Sequence, residues 1–202
     1  MTQRLKGKIA FVMGAGCVGE GWGNGKATAV LFARQGAHVV GTDLDLAAAE
    51  ETQRIIREEG HSAEVHALDV TNGQVTGDFL RAVRDQHGAV DILVNNVGRS
   101  EPGGPVEMSE EVWAAQFQLN ATTAFLACKH VIPIMQKQGG GAIVNTASAV
   151  ANIGIHGRAA YVASKGAVAA LTRAMATDHV DANIRINAVA PGTIESPYFA
   201  KS

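Results

Sequence analysis

The sequence predicts a doubly wound α/β fold, a mostly parallel sheet with helices on both faces. Three observations predict it. Short apolar, β-branched runs alternate with longer helix-patterned segments along the whole chain. The runs are almost continuously apolar, as strands covered on both faces must be. A glycine-rich stretch separates the first run from the first helix. Strands are expected at Ile9–Met13, His38–Thr42, Ala63–Ala67, Ile92–Asn95, Ala142–Thr146 and Arg185–Val189. Helices are expected at Lys26–Gln35, Leu46–Glu59, Gln74–His87, Ser109–Gln136 and Gly157–His179. Right-handed crossovers leave few topologies for such an order. No linker, repeat or charge block interrupts it, so residues 1–202 read as one domain.

Composition narrows the function classes. The chain has 202 residues, 47% hydrophobic and 18% charged, with a formal net charge of −2. That charge gives no footprint for nucleic acid or an anionic membrane surface as partner. Arg4, Lys6 and Lys8 precede the apolar Ile9–Met13 run, but the run is short and glycines follow at once. It reads as a buried first strand rather than a leader. No apolar run approaches the roughly 20 residues of a membrane span. A cytoplasmic, soluble protein is expected. Cys17 and Cys128 read as free thiols, and the seven histidines show no local metal-ligand spacing.

The helices differ in character. Leu46–Glu59, with Asp45 at its start, carries Glu50, Glu51, Arg54, Arg57, Glu58 and Glu59 and reads as solvated along most of its surface. Ser109–Gln136, with Trp113, Phe117, Leu119, Phe125, Leu126, Val131 and Ile134, and the small apolar Gly157–His179 are apolar on most sides. Helices of that kind need partners on more than one face. A homo-oligomer, dimer or tetramer, joined through these two helices is expected. Pro133 is expected to bend the end of its helix.

Gly14-Ala15-Gly16-Cys17-Val18-Gly19-Glu20-Gly21-Trp22-Gly23-Asn24-Gly25 lies between the first strand and the first helix. Glycines there let the backbone turn sharply and approach a pyrophosphate, and the helix start supplies free N–H groups. This is a Rossmann-type dinucleotide signature in its confirming strand–helix context. Asp43 closes the second strand, 18 residues after Gly25, where a carboxylate accepts from adenosine ribose hydroxyls and repels a 2′-phosphate. Leu44 follows in place of a basic residue. NAD is therefore expected over NADP. Asp43 reads alternatively as a helix cap.

Tyr161 and Lys165 are four apart on a predicted helix and share a face. Ser148 lies 13 residues before Tyr161, at the end of the fifth strand. Asn120 occupies a helix interior, where asparagine is a poor helix former and wants a reason.

In order, spacing and context, these four residues resemble the Asn–Ser–Tyr–Lys group of the short-chain dehydrogenase/reductase family. The resemblance spans residues 8 to about 197. It implies hydride transfer between a nicotinamide cofactor and a small alcohol or carbonyl substrate. Tyr161 would be the acid/base, Lys165 would lower its pKa and hold the nicotinamide ribose, and Ser148 would orient the substrate oxygen. Asn120 would help hold a water that relays protons to Lys165. The family glycine motif is Thr-Gly-x-x-x-Gly-x-Gly. Anchored on the helix start, Gly14, Gly23 and Gly25 match its glycines with Asn24 between the last two, Met13 replaces the threonine, and five residues are inserted. Anchoring on Gly19 and Gly21 needs one extra residue but spoils the helix register, so the first alignment is favoured. Trp22, in the insertion, reads equally as a cover for the cofactor and as part of a longer surface loop.

The resemblance also implies that Asp69 and Val70 lie near the adenine. Asn95-Asn96-Val97-Gly98 is similar to the family's Asn-Asn-Ala-Gly, with Asn95 tying strands together and Asn96 and Gly98 bordering the cofactor. Pro191-Gly192 matches Pro-Gly-x-x-x-Thr, with Ser196 in place of threonine and Ile194 in the same cofactor-facing segment. His156, Asn152 and Ile153 read as pocket-lining or plain loop residues, and Arg99 as a solvated arginine or a contact for an anionic substrate. Family members continue past Pro191-Gly192 with a substrate-covering helical segment, a further helix and a seventh strand, none of which is in these 202 residues. Substrate identity is thereby left open, with sugar or polyol oxidation the first guess. Two other readings stand: a catalytically silent NAD-binding sensor or scaffold, and an extended-family epimerase or dehydratase using the same tyrosine and lysine.

Overall fold

The computed structural model describes residues 3–197. Six parallel strands form a single sheet: β1 (Ile9–Met13), β2 (His38–Asp43), β3 (Ala63–Ala67), β4 (Ile92–Asn95), β5 (Gly141–Thr146) and β6 (Ile184–Val189). Their spatial order is β3-β2-β1-β4-β5-β6. The order reverses between β1 and β4, and ligands of open α/β sheets bind in the crevice beyond the strand ends at such a point. Register follows from burial. Phe11 opposes Val40 and Leu93, and Val12 opposes Gly41 and Val94, all buried. A one-residue slip would exchange the two faces.

The helices are α1 (Asn24–Arg34), α2 (Leu46–Glu58), α3 (Gly73–His87), α4 (Glu110–Phe117), α5 (Thr123–Gln138) and α6 (Ala159–Asp178). Two cores result, one on each face of the sheet. Phe11, Val40, Leu80, Leu93, Val131, Met135 and Ile143 fill the larger. Val12, Val30, Val39, Ile56 and Val94 belong to the smaller. Cys128 lies in the larger core, where burial pushes its thiol up to about 12, so it packs as a small apolar residue.

One expectation is corrected. The single helix expected over Ser109–Gln136 is interrupted by one π-helical turn, Gln118–Thr122, which separates α4 from α5. Wide turns of this kind concentrate at functional sites, and Asn120 lies within it. Pro133 sits inside α5, which runs on to Gln138. On α6, Ala160, Ser164, Lys165, Val168, Thr172 and Met175 are buried, while Ala170, Arg173, Ala174 and Thr177 are exposed, so one face is covered and another is open. Among the described residues, no helix is long and apolar enough to cross a membrane.

Candidate active site

All six strands end on one edge of the sheet, so the segments that follow them meet there. Gly14 leaves β1 with φ +74° and, with Ala15, donates its N–H to the Thr42 carbonyl. A Cβ on Gly25 would lie 1.7 Å from the Gly14 carbonyl oxygen. Only glycine lets α1 start on top of that turn, which supports the alignment through Gly23 and Gly25 over the one through Gly19 and Gly21. Asn96 Nδ2 donates to the same Gly14 carbonyl at 3.0 Å, joining the ends of β1 and β4. Gly23 caps α1 without a side-chain hydrogen bond, and no acidic residue occupies the first turn. Its leading N–H groups therefore face outward beside a close backbone approach, the cradle a pyrophosphate fits. Asn24 is exposed at the first helical position.

The inserted loop is held at its α1 end. The Lys26 ammonium, almost fully buried, lies 5.5 Å from the Trp22 ring centroid and 3.9 Å from Glu51. Trp22 thus packs on the start of α1 and remains about half exposed. Gly21 approaches Pro197, so the loop reaches the segment that follows β6.

Asp43 Oδ2 accepts from the Gly16 amide at 2.9 Å, and Oδ1 accepts from the Asp45 amide at 3.2 Å. The cap of α2 is Asp45, whose carboxylate accepts from Ala47 and Ala48. The helix-cap reading of Asp43 is therefore not needed. Its carboxylate keeps acceptor capacity beyond the two backbone bonds. Leu44 stands exposed beside it. Asp69 is exposed and Val70 buried. The Thr71 hydroxyl and then its amide hold the Asp69 carboxyl below its ordinary range. Gln118 of the π turn donates to the Thr71 carbonyl, tying this loop to the helix that carries Asn120.

On the other side of β4 three predicted residues converge. A Cβ on Gly98 would sit 2.8 Å from Lys165 Nζ and 2.9 Å from Asn120 Oδ1. Asn120 Oδ1 accepts from the Arg99 amide, and its Nδ2 donates to the Arg99 carbonyl and to Ser164 Oγ. The Lys165 ammonium is buried, donates to the Thr146 carbonyl at 2.7 Å and lies 5.9 Å from the Tyr161 ring centroid. Burial lowers its pKa to about 8. Ser148 Oγ caps a short 3₁₀ turn through the Val150 amide and lies 3.5 Å from the Pro191 carbonyl. The segment that follows β6 is thereby tied to the second residue after β5. Gly192, Ile194 and Ser196 follow without regular structure.

The other candidates have exposed side chains. Arg99 pairs with Glu101 at 2.6 Å and is mostly exposed, the solvated reading. Asn152, Ile153 and His156 are exposed.

Sequence reading missed the scaffold beneath the site. Asn95 Nδ2 donates to Asn145 Oδ1 at 2.7 Å, so Asn95 does tie β4 to β5. Asn145 in turn donates to Thr172 of α6 at 2.9 Å. Asn145 and Thr172 are buried, as are Ser164 and Gln116, which accepts from the Glu101 amide. A polar residue directly after the apolar run Ala142–Val144, inside the predicted strand, was the available signal for Asn145. Gln116, Ser164 and Thr172 carried none.

The model of the short chain dehydrogenase family matches residues 8–202. The chain belongs to that family. A crystal structure of a short-chain dehydrogenase/reductase from Burkholderia xenovorans superposes with a TM-score of 0.96 at 45% identity, covering 98% of this chain and 78% of that one. A 7α-hydroxysteroid dehydrogenase complexed with NADH and 7-oxo glycochenodeoxycholic acid matches with a TM-score of 0.92 at 34% identity, over 99% of this chain and 76% of that one. The 3-oxoacyl-[acyl-carrier-protein] reductase FabG of Thermotoga maritima is 37% identical over 201 residues, 98% of this chain and 78% of that protein. These matches make the chain an oxidoreductase-family protein with a nicotinamide-dinucleotide fold.

Proposed function

We propose that this chain interconverts a secondary alcohol and its ketone by hydride exchange with NAD, using Tyr161 as acid and base. The supporting observation is the buried Lys165 ammonium, fixed on the Thr146 carbonyl one helical turn from Tyr161 and facing Gly98 and Asn120. When bound, the dinucleotide supplies or accepts the hydride. The chain's own residues handle the proton. Tyrosine starts near 10, and a base for an alcohol works best near the ambient pH. An adjacent ammonium favours the phenolate, and lowering that pKa by ~2–3 units is worth roughly 3–4 kcal/mol. With a pKa of about 8, Lys165 is still mostly protonated at neutral pH and can play this part. Ser148 holds the substrate oxygen and stabilises its developing charge. Asn120, locked by three hydrogen bonds, positions a proton-relaying water near Lys165.

Gly14, Gly23, Asn24 and Gly25 at the α1 start would hold the pyrophosphate, and Asn96 and Gly98 would border the cofactor. Pro191, Gly192, Ile194 and Ser196 would border its nicotinamide end, and Asp69 and Val70 its adenine. Asp43, with no basic residue at Leu44, favours NAD over NADP. An NAD preference suits oxidation, and a sugar or polyol is the first substrate class to test. The outward Trp113 and Phe125 of α4 and α5, each more than two-fifths exposed, support pairing with a second copy. Light scattering across a concentration series tests that pairing, and a constant monomer mass removes it.

The deciding experiment is an NADH and NADPH fluorescence titration followed by a substrate panel on wild type and Tyr161→Phe. Tight NADH binding, weak NADPH binding and turnover lost in Tyr161→Phe are expected. Near-normal turnover in Tyr161→Phe overturns the proposal.

A further inference from the structure

The opposite edge of the sheet, where strands begin, holds a cluster that no local spacing announces. His38 opens β2, Glu64 is the second residue of β3 and His87 closes α3. Val40 pairs with Glu64, so His38 and Glu64 project from the same face of neighbouring strands, the face that α3 covers. One potential ligand atom from each of His38, Glu64 and His87 lies within 4.8 Å of the other two. We propose that these three side chains bind a divalent transition-metal ion, with zinc the natural candidate, and leave a fourth position for water.

The surroundings are those of a metal site. His38 Nδ1 lies 2.6 Å from Ser62 Oγ, while its Nε2 is buried with no hydrogen-bond partner. Serine on one ring nitrogen orients the imidazole and leaves the other to bind a metal. A buried polar nitrogen without a partner is costly, and a ligated ion removes that cost. Gln86 Nε2 donates to Glu64 Oε2 at 3.2 Å, leaving Oε1, which lies 2.9 Å from His87 Nε2. Tetrahedral zinc takes its ligands at about 2.0–2.2 Å. That separation therefore needs only a small opening. The two imidazole rings stack with centroids 4.6 Å apart. Two imidazoles and one carboxylate with an open position suit zinc over magnesium or calcium, which prefer all-oxygen sites. The three residues are separated by 26 and 23 positions, so only the pairing of β2 with β3 and the end of α3 unites them. The ion would pin the edge strand β3 to α3, on the edge away from Lys165 and Gly14.

The test is a calorimetric titration of chelator-treated full chain with zinc chloride, paired with cobalt(II) absorption. One equivalent per chain, a visible cobalt spectrum of tetrahedral type and a raised thermal midpoint are expected. His87→Ala and Glu64→Gln should abolish the one-equivalent uptake, and Ser62→Ala should weaken it about tenfold, the usual cost of an outer-sphere partner. Circular dichroism checks that each variant folds. If His87→Ala does not fold, Glu64→Gln decides. No stoichiometric uptake, or uptake unchanged in Glu64→Gln, overturns the proposal.

Discussion

Gly98 and Lys165 meet so closely that a methyl group on the glycine would lie 2.8 Å from the lysine ammonium. The obstacle is the far end of a flexible side chain, with Asn120 Oδ1 next at 2.9 Å. Gly98→Ala therefore leaves the fold standing and moves Lys165 off the Thr146 carbonyl. General acid–base catalysis contributes about 10²–10⁴-fold. A displaced Lys165 should cost about 10- to 100-fold in kcat, with urea stability changed by less than about 1 kcal/mol. Unchanged kcat in the folded variant would show that the lysine's position does not matter.

Lys165→Met should trade activity for stability. In the folded chain burial holds this lysine near 8, against an ordinary 10.5. Between those values the unfolded chain carries a proton that the folded chain lacks, so stability rises with pH. Below pH 8 the penalty is present in full, and above 10.5 it is gone. The gap corresponds to about 3 kcal/mol. Methionine escapes this penalty but leaves the Thr146 carbonyl unpaired, at about 1–2 kcal/mol. The variant should be inactive yet about 1–2 kcal/mol more stable at pH 7. Its advantage should shrink as pH approaches 10.5. Urea unfolding at pH 7, 9 and 10.5 measures it, and a destabilised variant at pH 7 contradicts the burial argument.

Most strands were legible because they are nearly continuous apolar runs, while the edge strand β3 alternates polar Glu64 and His66 with apolar residues, and the bounds shifted by at most a residue. The site's frame was legible because glycines, Asn95 and the Tyr161–Lys165 pair sit at element ends or at helical spacing. The π turn was not, since apolar periodicity cannot distinguish a helix with one wide turn from a regular one. Asn120 alone hinted at it. The polar layer of Gln116, Ser164 and Thr172 was illegible because a helix interior shows no sign of what crosses it from another element. The His38–Glu64–His87 cluster was hidden for the same reason.

Gly25→Ala tests the favoured glycine alignment. Its Cβ would lie 1.7 Å from a backbone carbonyl oxygen, which no side-chain movement can relieve. The start of α1 must shift away from Gly14. NADH binding should be lost, while Gly19→Ala in the inserted loop should bind NADH within about threefold of wild type. Equal loss in both would favour the rejected alignment.

Asp43→Ser should alter cofactor choice. Loss of a charge-assisted acceptor costs about 1.5–3 kcal/mol, and the repulsion toward a 2′-phosphate disappears with it. NADH should bind about 10- to 100-fold more weakly, and NADPH no worse than before. Parallel fluorescence titrations read both. An unchanged NADH:NADPH ratio would reduce Asp43 to its bonds with the Gly16 and Asp45 amides.

Asn145→Ala should be costly without touching the cofactor edge directly. It removes the centre of a buried chain running from Asn95 through Asn145 to Thr172, which itself donates to the Val168 carbonyl. Buried partners left unmatched cost about 1–3 kcal/mol each. A loss of about 2–4 kcal/mol is expected, or roughly 4–16 °C in Tm for a chain of this size. Thr172→Val alone should cost about 1 kcal/mol. The double variant should cost less than the sum, because residues in one network are not additive. Additive losses in a double-mutant cycle would mean that β5 and α6 are joined by packing alone, and that the hydrogen bond between them contributes no coupling.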